Sequence, residues 1–462
     1  MNTPIYDFLI NYARTAPARP HMPGHEGKPP VAGTAMDMLY ALDITEIAGA
    51  DSLFEAGGII AESEANATSL YKTAGTFYSC QGSTLCIQAM LYMCRQEGRR
   101  IIAMRNVHRS FLNACALLGL EVTWIYPKRA DGILSGIVPV YEIEEALYES
   151  REPAAVYITS PDYLGNMADI PSISKVCKKH GALLLCDNAH GAHLAFAPLN
   201  RHPIALGADM CCDSAHKMLP ALTGAAYLHC KDEKYAKKAK QAMSIFGSTS
   251  PSYLILASLD LCNLYLSGNV KDDISRVTYE IQKMQTELAP YYRFSYGDTL
   301  HMTIFAAESG TTGRAIAAEL EKHRIFVEYA DKDVVVLLFS PTSEAKTFRA
   351  VTVALLEAAK ELGCRSKTVR RDRSIRFCRL RQKMPIREAV LCDYEEIPVY
   401  KALGRVCAGT KVPCPPAVPV AVSGEEINAE CIELFRHYGI ERVCVVRQPE
   451  PQTKERAEKK NG

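Results

Sequence analysis

The sequence predicts an α/β protein built on a mainly parallel sheet. Two observations carry this. Short apolar runs alternate with amphipathic stretches from residue 77 to residue 230, the pattern of strands joined by crossover helices. Several of these runs stop at clusters of small and polar residues: Gln81-Gly82-Ser83-Thr84, Asn106-Val107-His108, Thr159-Ser160-Pro161-Asp162-Tyr163 and Asp187-Asn188-Ala189-His190-Gly191. Open α/β sheets bind ligands beyond the carboxyl ends of their strands, so the chemistry is sought there.

Composition narrows the function classes. The 462 residues are 48% hydrophobic and 23% charged, an ordinary globular balance with room for two or three domains. Lysine and arginine total 53 against 52 acidic residues, a net charge of +1 that gives no global field for nucleic acid or an anionic membrane. No apolar run approaches the roughly 18 residues of a spanning helix. The opening MNTPIYDFLINYARTAP carries Asp7 and lacks the basic start and apolar core of a signal peptide. The 17 cysteines form no CxxC pair, and Cys86, Cys94, Cys186, Cys211 and Cys212 sit inside apolar runs. That pattern predicts reduced, buried thiols in a cytosol, with neither a disulfide framework nor a metal site.

In chain order, residues 3–20 read as a short helical arm closed by Pro17 and Pro20. HMPGHEGK, 21–28, is a loop whose His21, His25 and Lys28 are expected to face solvent. Residues 43–58 read as irregular and 60–73 as a helix. In FYSCQGSTLCIQAMLYMC, 77–94, a short strand runs into Gly82-Ser83-Thr84 and a helix with apolar residues at Leu85, Ala89 and Met93. Free N–H groups, two hydroxyls and the positive helix end make this turn an anion cradle suited to phosphate. Taken alone, it reads as an ordinary N-cap. His108 lies just past the strand in 99–104, where an imidazole either stacks on a ligand ring or caps the next helix. Further strands are expected at 121–127 and 154–161, and a helix at 171–180.

The central stretch, 183–224, holds the densest chemistry. Leu183–Cys186 ends in Asp187-Asn188-Ala189-His190, and Ser214-x-His216-Lys217 follows a second short strand. An acid at a strand end and a lysine thirty residues later suit a pyridoxal phosphate (PLP) site. That cofactor needs a lysine for its aldehyde, an acid against its ring nitrogen and donors for its phosphate. Beyond it, 224–230 reads as a strand, and 231–245 and 251–290 as helices, the second with an apolar face at Leu254, Ala257, Leu261 and Leu264. A smaller α/β unit is expected over 299–362: strand LHMTIFAA, helix TGRAIAAELEKH, strands IFVEY and VVVLLFS, helix 343–362. A basic connector, 365–383, reads as a solvated or subunit-contact surface. In the last unit, Ser423 with Glu426 suggests a capping box at a helix start. The polar tail is expected to be disordered.

Jointly, Gly82-Ser83-Thr84, His108, Asp187-x-Ala189-His190 and Ser214-x-His216-Lys217 resemble the fold-type-I PLP enzymes, the aspartate aminotransferase fold. HMPGHEGK, RNVHRS, SPDYLG, DNAHGAH, SAHK with LTG, SPSYLILASLD and GRVCAGTKVPCPPAVPVAVSGEEI narrow the resemblance to the ornithine/lysine/arginine decarboxylase family. The resemblance is to the family's short form, which is expected to lack an N-terminal wing domain. The resemblance covers about residues 3–440. It implies a seven-stranded sheet with helices on both faces plus smaller C-terminal α/β domains. The implied divisions are 1–75 (arm and loops), 76–290 (PLP-binding large domain), 291–365 (small domain), 366–446 (decarboxylase-type C-terminal domain) and 447–462 (tail).

The resemblance also implies roles. Lys217 would form the internal aldimine and Asp187 would pair with the ring nitrogen. His108 would stack on one ring face and Ala189 on the other, with His190 near the ring hydroxyl. Ser83, Thr84, Ser214 and His216 would hold the phosphate, and Gly82 would allow its close approach. A basic amino acid would then lose its carboxylate through an external aldimine and a quinonoid intermediate. The expected product is a polyamine-pathway amine, made in the cytoplasm by a homodimer or larger homo-oligomer. Departures from the family pattern are Asp51-Ser52-Leu53-Phe54, Cys414-Pro415-Pro416-Ala417-Val418-Pro419, Asn188 and Asp162. They leave the substrate open among arginine, lysine and ornithine. They also leave open another type-I reaction, transamination or a lyase step, or PLP binding without turnover. Asp162 and Glu328 are candidates for a distal substrate cation or are plain surface residues.

Overall fold

The computed structural model describes residues 1–127, 132–366, 379–409 and 418–448. Seven strands form the main sheet: β1 (Gly75–Ser79), β2 (Arg100–Met104), β3 (Val122–Ile125), β4 (Ala154–Thr159), β5 (Leu183–Asp187), β6 (Met210–Asp213) and β7 (Ala226–Cys230), in the order β1-β7-β6-β5-β4-β2-β3. Pairing from β6 through β3 is parallel, and β7 alone runs against its two neighbours. This is the doubly covered, mainly parallel sheet that the sequence predicts.

Strand alternation explains why the runs look continuously apolar. Ile101, Ala103, Tyr157, Leu185, Cys212 and Leu228 pack on one face with helices Gly82–Gln96, Arg109–Leu118 and Glu233–Ser244. Ile102, Met104, Val156, Ile158, Leu184, Cys186 and Cys211 pack on the other, under helices Val140–Glu149 and Ile170–Lys179. A sheet buried on both sides has no polar face to show.

Two smaller sheets follow. β8 (His301–Phe305), β9 (Tyr329–Ala330) and β10 (Val334–Leu338) form an antiparallel sheet in the order β8-β10-β9, and β11 (Tyr394–Pro398) pairs antiparallel with β12 (Arg442–Val446). Thr303 Oγ1 donates to Leu164 O at 3.0 Å and Asp298 N to Gly165 O at 2.7 Å, tying the start of the small sheet to the loop after β4.

The structure corrects several expectations. The 251–290 helix is two helices, Tyr253–Leu266 and Val270–Leu288, parted at Ser267-Gly268-Asn269. In the first, Leu261 and Leu264 are exposed, and the buried face carries Leu256, Leu259, Asp260 and Asn263. Asp260 earns its burial by accepting N–H groups of Ile5 and Tyr6 at 2.9 and 3.1 Å, which docks helix Pro4–Arg14. IFVEY is mostly not strand, since only Tyr329 and Ala330 pair with β10 while Phe326 points to solvent. Ser423 does not cap a helix: Gly424, at φ +90°, makes a turn, and the helix starts at Ala429 with Asn428 accepting from Cys431 N at 2.8 Å. Most of the basic connector, the tail beyond 448, and Cys414 and Ala417 lie outside the described residues.

Candidate active site

The carboxyl ends of the parallel strands open into a cavity of about 480 Å3. All ten residues singled out by the sequence line it: Gly82, Ser83, Thr84, His108, Asp187, Ala189, His190, Ser214, His216 and Lys217. They come from four separate strand ends, so the sheet itself brings them together.

Asp187 is the last residue of β5 and is buried. It accepts from Tyr157 Oη at 3.2 Å, Ala189 N at 3.2 Å and Cys212 Sγ at 3.6 Å. Burial and the neighbouring carboxylate hold the Tyr157 phenol protonated well above its ordinary range. These three donors are neutral. A buried carboxylate is costly without a cation, so Asp187 is set to receive a cationic group.

His108 both caps and faces the cavity. As N-cap of helix Arg109–Leu118, its Nδ1 accepts from Ser110 N at 3.1 Å, which leaves the proton on Nε2. Burial lowers the imidazole to about 4, against the pull of Asp187. It is therefore neutral at pH 7 and does not repel a cationic ring.

Opposite lies the anion cradle. Gly82 has φ +66°, and nothing lies within 4 Å of where its Cβ would project. Its N–H donates to Gly224 O at 2.8 Å, joining the two loops. Ser214 Oγ donates to Ser83 Oγ at 3.0 Å, and His216 is fixed through Nδ1 to Ala225 O at 2.8 Å. The first-turn N–H groups of the 15-residue helix Gly82–Gln96 point the same way. Two further groups on the cavity wall, Asn106 Nδ2 and Thr159 Oγ1, have no hydrogen-bond partner among the described residues.

Lys217 sits in the short helix Ala215–Met218 after β6, and its Nζ is 3.1 Å from His190 Nε2. His190 Nδ1 is in turn 3.2 Å from His301 Nε2, and His301 Nδ1 is 2.6 Å from Asp298 Oδ2. His193 is fully buried with Nε2 2.8 Å from Asp298 Oδ1. Sequence reasoning missed His301 and Asp298. They lie more than a hundred residues from His190, at the start of a different sheet, and no local motif marks them.

Other candidates fall out differently. Asp162 is buried, but its carboxylate accepts from Leu164 N and Asn166 N, both at 2.9 Å, and organises its own turn. It does not line the cavity, so it is not a receptor for a substrate cation. Glu328 does line it, with Oε1 accepting from Tyr163 Oη at 2.7 Å. Asn188 lies behind the site and donates to Asp213 Oδ1 at 2.6 Å. Burial opposes ionisation of Asp213, yet His202 and His229, each 3.1 Å from Oδ2, hold it well below the carboxylate range. Asp51 gathers the N–H groups of Ser52, Gly57, Gly58 and Ile60 at 2.8–3.0 Å ahead of helix Ile59–Tyr71, and Leu53 is core. Neither Ser52 nor Phe54 lines the cavity, whereas Val418 does.

Comparison with known proteins gives a consistent picture. The family description "Orn/Lys/Arg decarboxylase, major domain" matches residues 3–292. An arginine decarboxylase of Bacillus anthracis is 27% identical over 98% of this chain and 96% of its own length. The crystal structure of a lysine decarboxylase from Francisella novicida superposes with a TM-score of 0.79 at 16% identity, covering 96% of this chain and 81% of that one. A serine palmitoyltransferase of Sphingomonas wittichii superposes with a TM-score of 0.57 at 14% identity, over 77% of this chain and 84% of that one. At such identities the two superpositions speak for the fold, which is that of the type-I PLP enzymes.

Proposed function

The chain belongs to the Orn/Lys/Arg decarboxylase family, and from that premise we propose that it removes the α-carboxylate of arginine, with pyridoxal 5′-phosphate held by the residues above. One observation carries the cofactor: a buried Asp187 with only neutral donors, Lys217 and a helix-start cradle share one cavity. The free space at Gly82 and the unpartnered Asn106 and Thr159 groups fit a polar guest. The full-length B. anthracis relative, named an arginine decarboxylase, and the carboxylate of Glu328 on the cavity wall support arginine over lysine or ornithine. A carboxylate pairs a guanidinium through two parallel hydrogen bonds and an ammonium through one.

When bound, the cofactor supplies an electron sink for the pair left as carbon dioxide departs. The protein does the rest. Lys217 is the amine that would hold the cofactor's aldehyde. Asp187 keeps the ring nitrogen protonated by pairing with its charge in a water-poor site. Neutral His108 and the Ala189 methyl, both on the cavity wall, would hold the ring by stacking. Ser83, Thr84, Ser214 and His216 fix the phosphate, with Gly82 leaving room for it. Lys217 returns a proton to the substrate carbon. On this reading the chain divides into an arm (1–75), a large domain (76–290), a small domain (291–365) and a C-terminal domain (366–446).

The exposed Leu261 and Leu264 on helix Tyr253–Leu266, with exposed Leu222 tied to that helix through its N–H to Ser258 Oγ at 3.1 Å, support a homodimer. Among the described residues no helix is long and apolar enough to cross a membrane, and every cysteine is free, which supports a cytoplasmic setting.

The full chain is titrated with PLP and scanned in the visible, then incubated with arginine, lysine and ornithine while carbon dioxide and amine are measured. Agmatine from arginine, with the visible band abolished by Lys217→Ala, is expected. Keto-acid formation, or a band that survives the substitution, refutes the reading.

A further inference from the structure

We propose that His301, at the start of β8, and Asp298, in the turn before it, are positioning residues that form a proton relay with His190 and set when Lys217 carries its proton. This rests on the reading of Lys217 as the cofactor-bearing amine.

The argument is one of hydrogen-bond direction. An ionised carboxylate only accepts. Asp298 therefore takes the Nδ1 proton of His301 at 2.6 Å and the Nε2 proton of His193 at 2.8 Å. Burial opposes its ionisation, but the two imidazoles outweigh that and hold the carboxyl well below its ordinary range. Neutral His301 then has a lone pair on Nε2, which meets Nδ1–H of His190 at 3.2 Å. Neutral His190 in turn has its lone pair on Nε2, facing Lys217 Nζ at 3.1 Å. A single carboxylate thus fixes three tautomers, and every donor in the chain points toward it. His193 ends the other branch, with Nδ1 buried and unpartnered.

The same geometry moves a proton without releasing it to water. Lys217 gives a proton to His190 Nε2, and His190 passes its Nδ1 proton to His301 Nε2. The lysine is left as a neutral amine, His190 is again neutral with its proton on Nε2, and His301 is an imidazolium against Asp298. The reverse transfer returns the proton. No electron pair changes owner beyond the N–H bonds made and broken. Burial, reinforced by Lys217, His301 and His108, keeps His190 itself neutral, so it acts as a conduit and not a store. The charged and titratable groups facing it are Lys217 and His108 from the main sheet, His301 and Asp298 from the small sheet, and the Tyr163 ring, centred 5.2 Å away, which leads to Glu328.

A purely structural buried network predicts that any side chain keeping the hydrogen bonds will serve. His301→Gln separates the two, since its amide can accept from His190 and donate to Asp298 yet cannot carry a proton. Asp298→Asn removes the charge that orders the chain. The full-length protein, labelled with 15N-histidine and free of cofactor, is examined by imidazole NMR; the PLP-loaded protein is examined by pH-resolved kinetics. In wild type, His190 and His301 are expected as Nδ1–H tautomers, and Asp298→Asn is expected to lose that preference. In the loaded enzyme His301→Gln should lower kcat on the order of 100-fold with KM held within about twofold. Asp298→Asn should shift the pH profile on the order of one unit.

An Nε2–H tautomer at either histidine in wild type overturns the relay, even if neither variant folds. So does a His301→Gln enzyme with wild-type kcat and pH profile. Absence of a visible PLP band in wild type instead refutes the cofactor assignment, and leaves the tautomer measurement to decide the relay.

Discussion

Glu425→Ala should detach the C-terminal unit from the site wall. Arg105 follows β2 directly and is fully buried, two residues before Val107 and three before His108. Its guanidinium donates to Glu425 Oε2 at 3.1 Å and to the carbonyls of Pro419 and Val420 at 3.1 and 3.2 Å, with both charged side chains 1% exposed. The same Glu425 oxygen accepts Val422 N at 2.6 Å. Removing the carboxylate leaves a buried cation with two carbonyls and an unmet N–H. Breaking a buried pair costs about 3–5 kcal/mol, and the surviving carbonyl contacts put Glu425→Ala at about 3 kcal/mol. Trp124, the sole tryptophan, reports the event, because the guanidinium lies 5.4 Å from its ring centre. Its fluorescence in a urea titration should move to a lower midpoint. An Arg105→Met, Glu425→Leu double variant should lose less than the two single changes summed, since neither charge is then stranded. A single-variant loss under about 1 kcal/mol, or strict additivity, would sink the argument.

Three further outcomes are expected. Glu328→Gln should raise KM for arginine about tenfold with little change in kcat, as loss of one charged hydrogen bond costs about 1.5 kcal/mol or more; steady-state kinetics on arginine, lysine and ornithine would test it. Thermal stability should fall as pH drops from about 6.5 toward 4, because burial depresses His108, His190, His216 and His229 and at these four positions the unfolded chain gains protons first. His108, lowered to about 4, contributes at most about 3 kcal/mol of that loss; the depressed Asp213 and Asp298 add theirs only below about pH 4, and the buried, raised carboxyls of Glu64, Asp162, Asp209, Asp260 and Asp331 offset part of it, so calorimetry of wild type against His108→Gln between pH 7 and 4.5 reads the His108 share. Gly224→Ala should destabilise the fold by about 1–3 kcal/mol and weaken inorganic phosphate binding, since Gly224 has φ +98° and its Cβ would sit 2.9 Å from Cys80 O; fluorescence titration with phosphate and urea melts would show it.

The sheet and the cavity lining were legible because both depend on local signals. Strand-end residues are fixed in space by the strands that carry them, and parallel topology gathers those ends. What was illegible depends on pairs far apart in the chain. Arg105 and Glu425 are separated by 320 positions, and His190 and His301 by 111. Nothing local distinguishes either partner from a surface residue. The helix face at 253–266 was misread for a related reason. Counting apolar letters favours Leu261 and Leu264, but the fold buries Asp260 and Asn263 because Ser63, Tyr78 and the first turn of the arm satisfy them. Asp162 was misjudged because an acid that organises its own turn and an acid that receives a ligand share one local pattern.

The buried thiols have a practical consequence. Burial raises Cys94 on helix Gly82–Gln96, Cys230 on β7, and Cys407 beside β12, to about 12. At neutral pH the reactive thiolate is on the order of one part in ten thousand or fewer at each. Alkylating agents therefore leave these three thiols untouched until a segment opens, and their adduct count becomes a clock. Peptide mapping that finds Cys407 labelled before Cys94 and Cys230 would record the C-terminal unit swinging away while the main sheet stays closed.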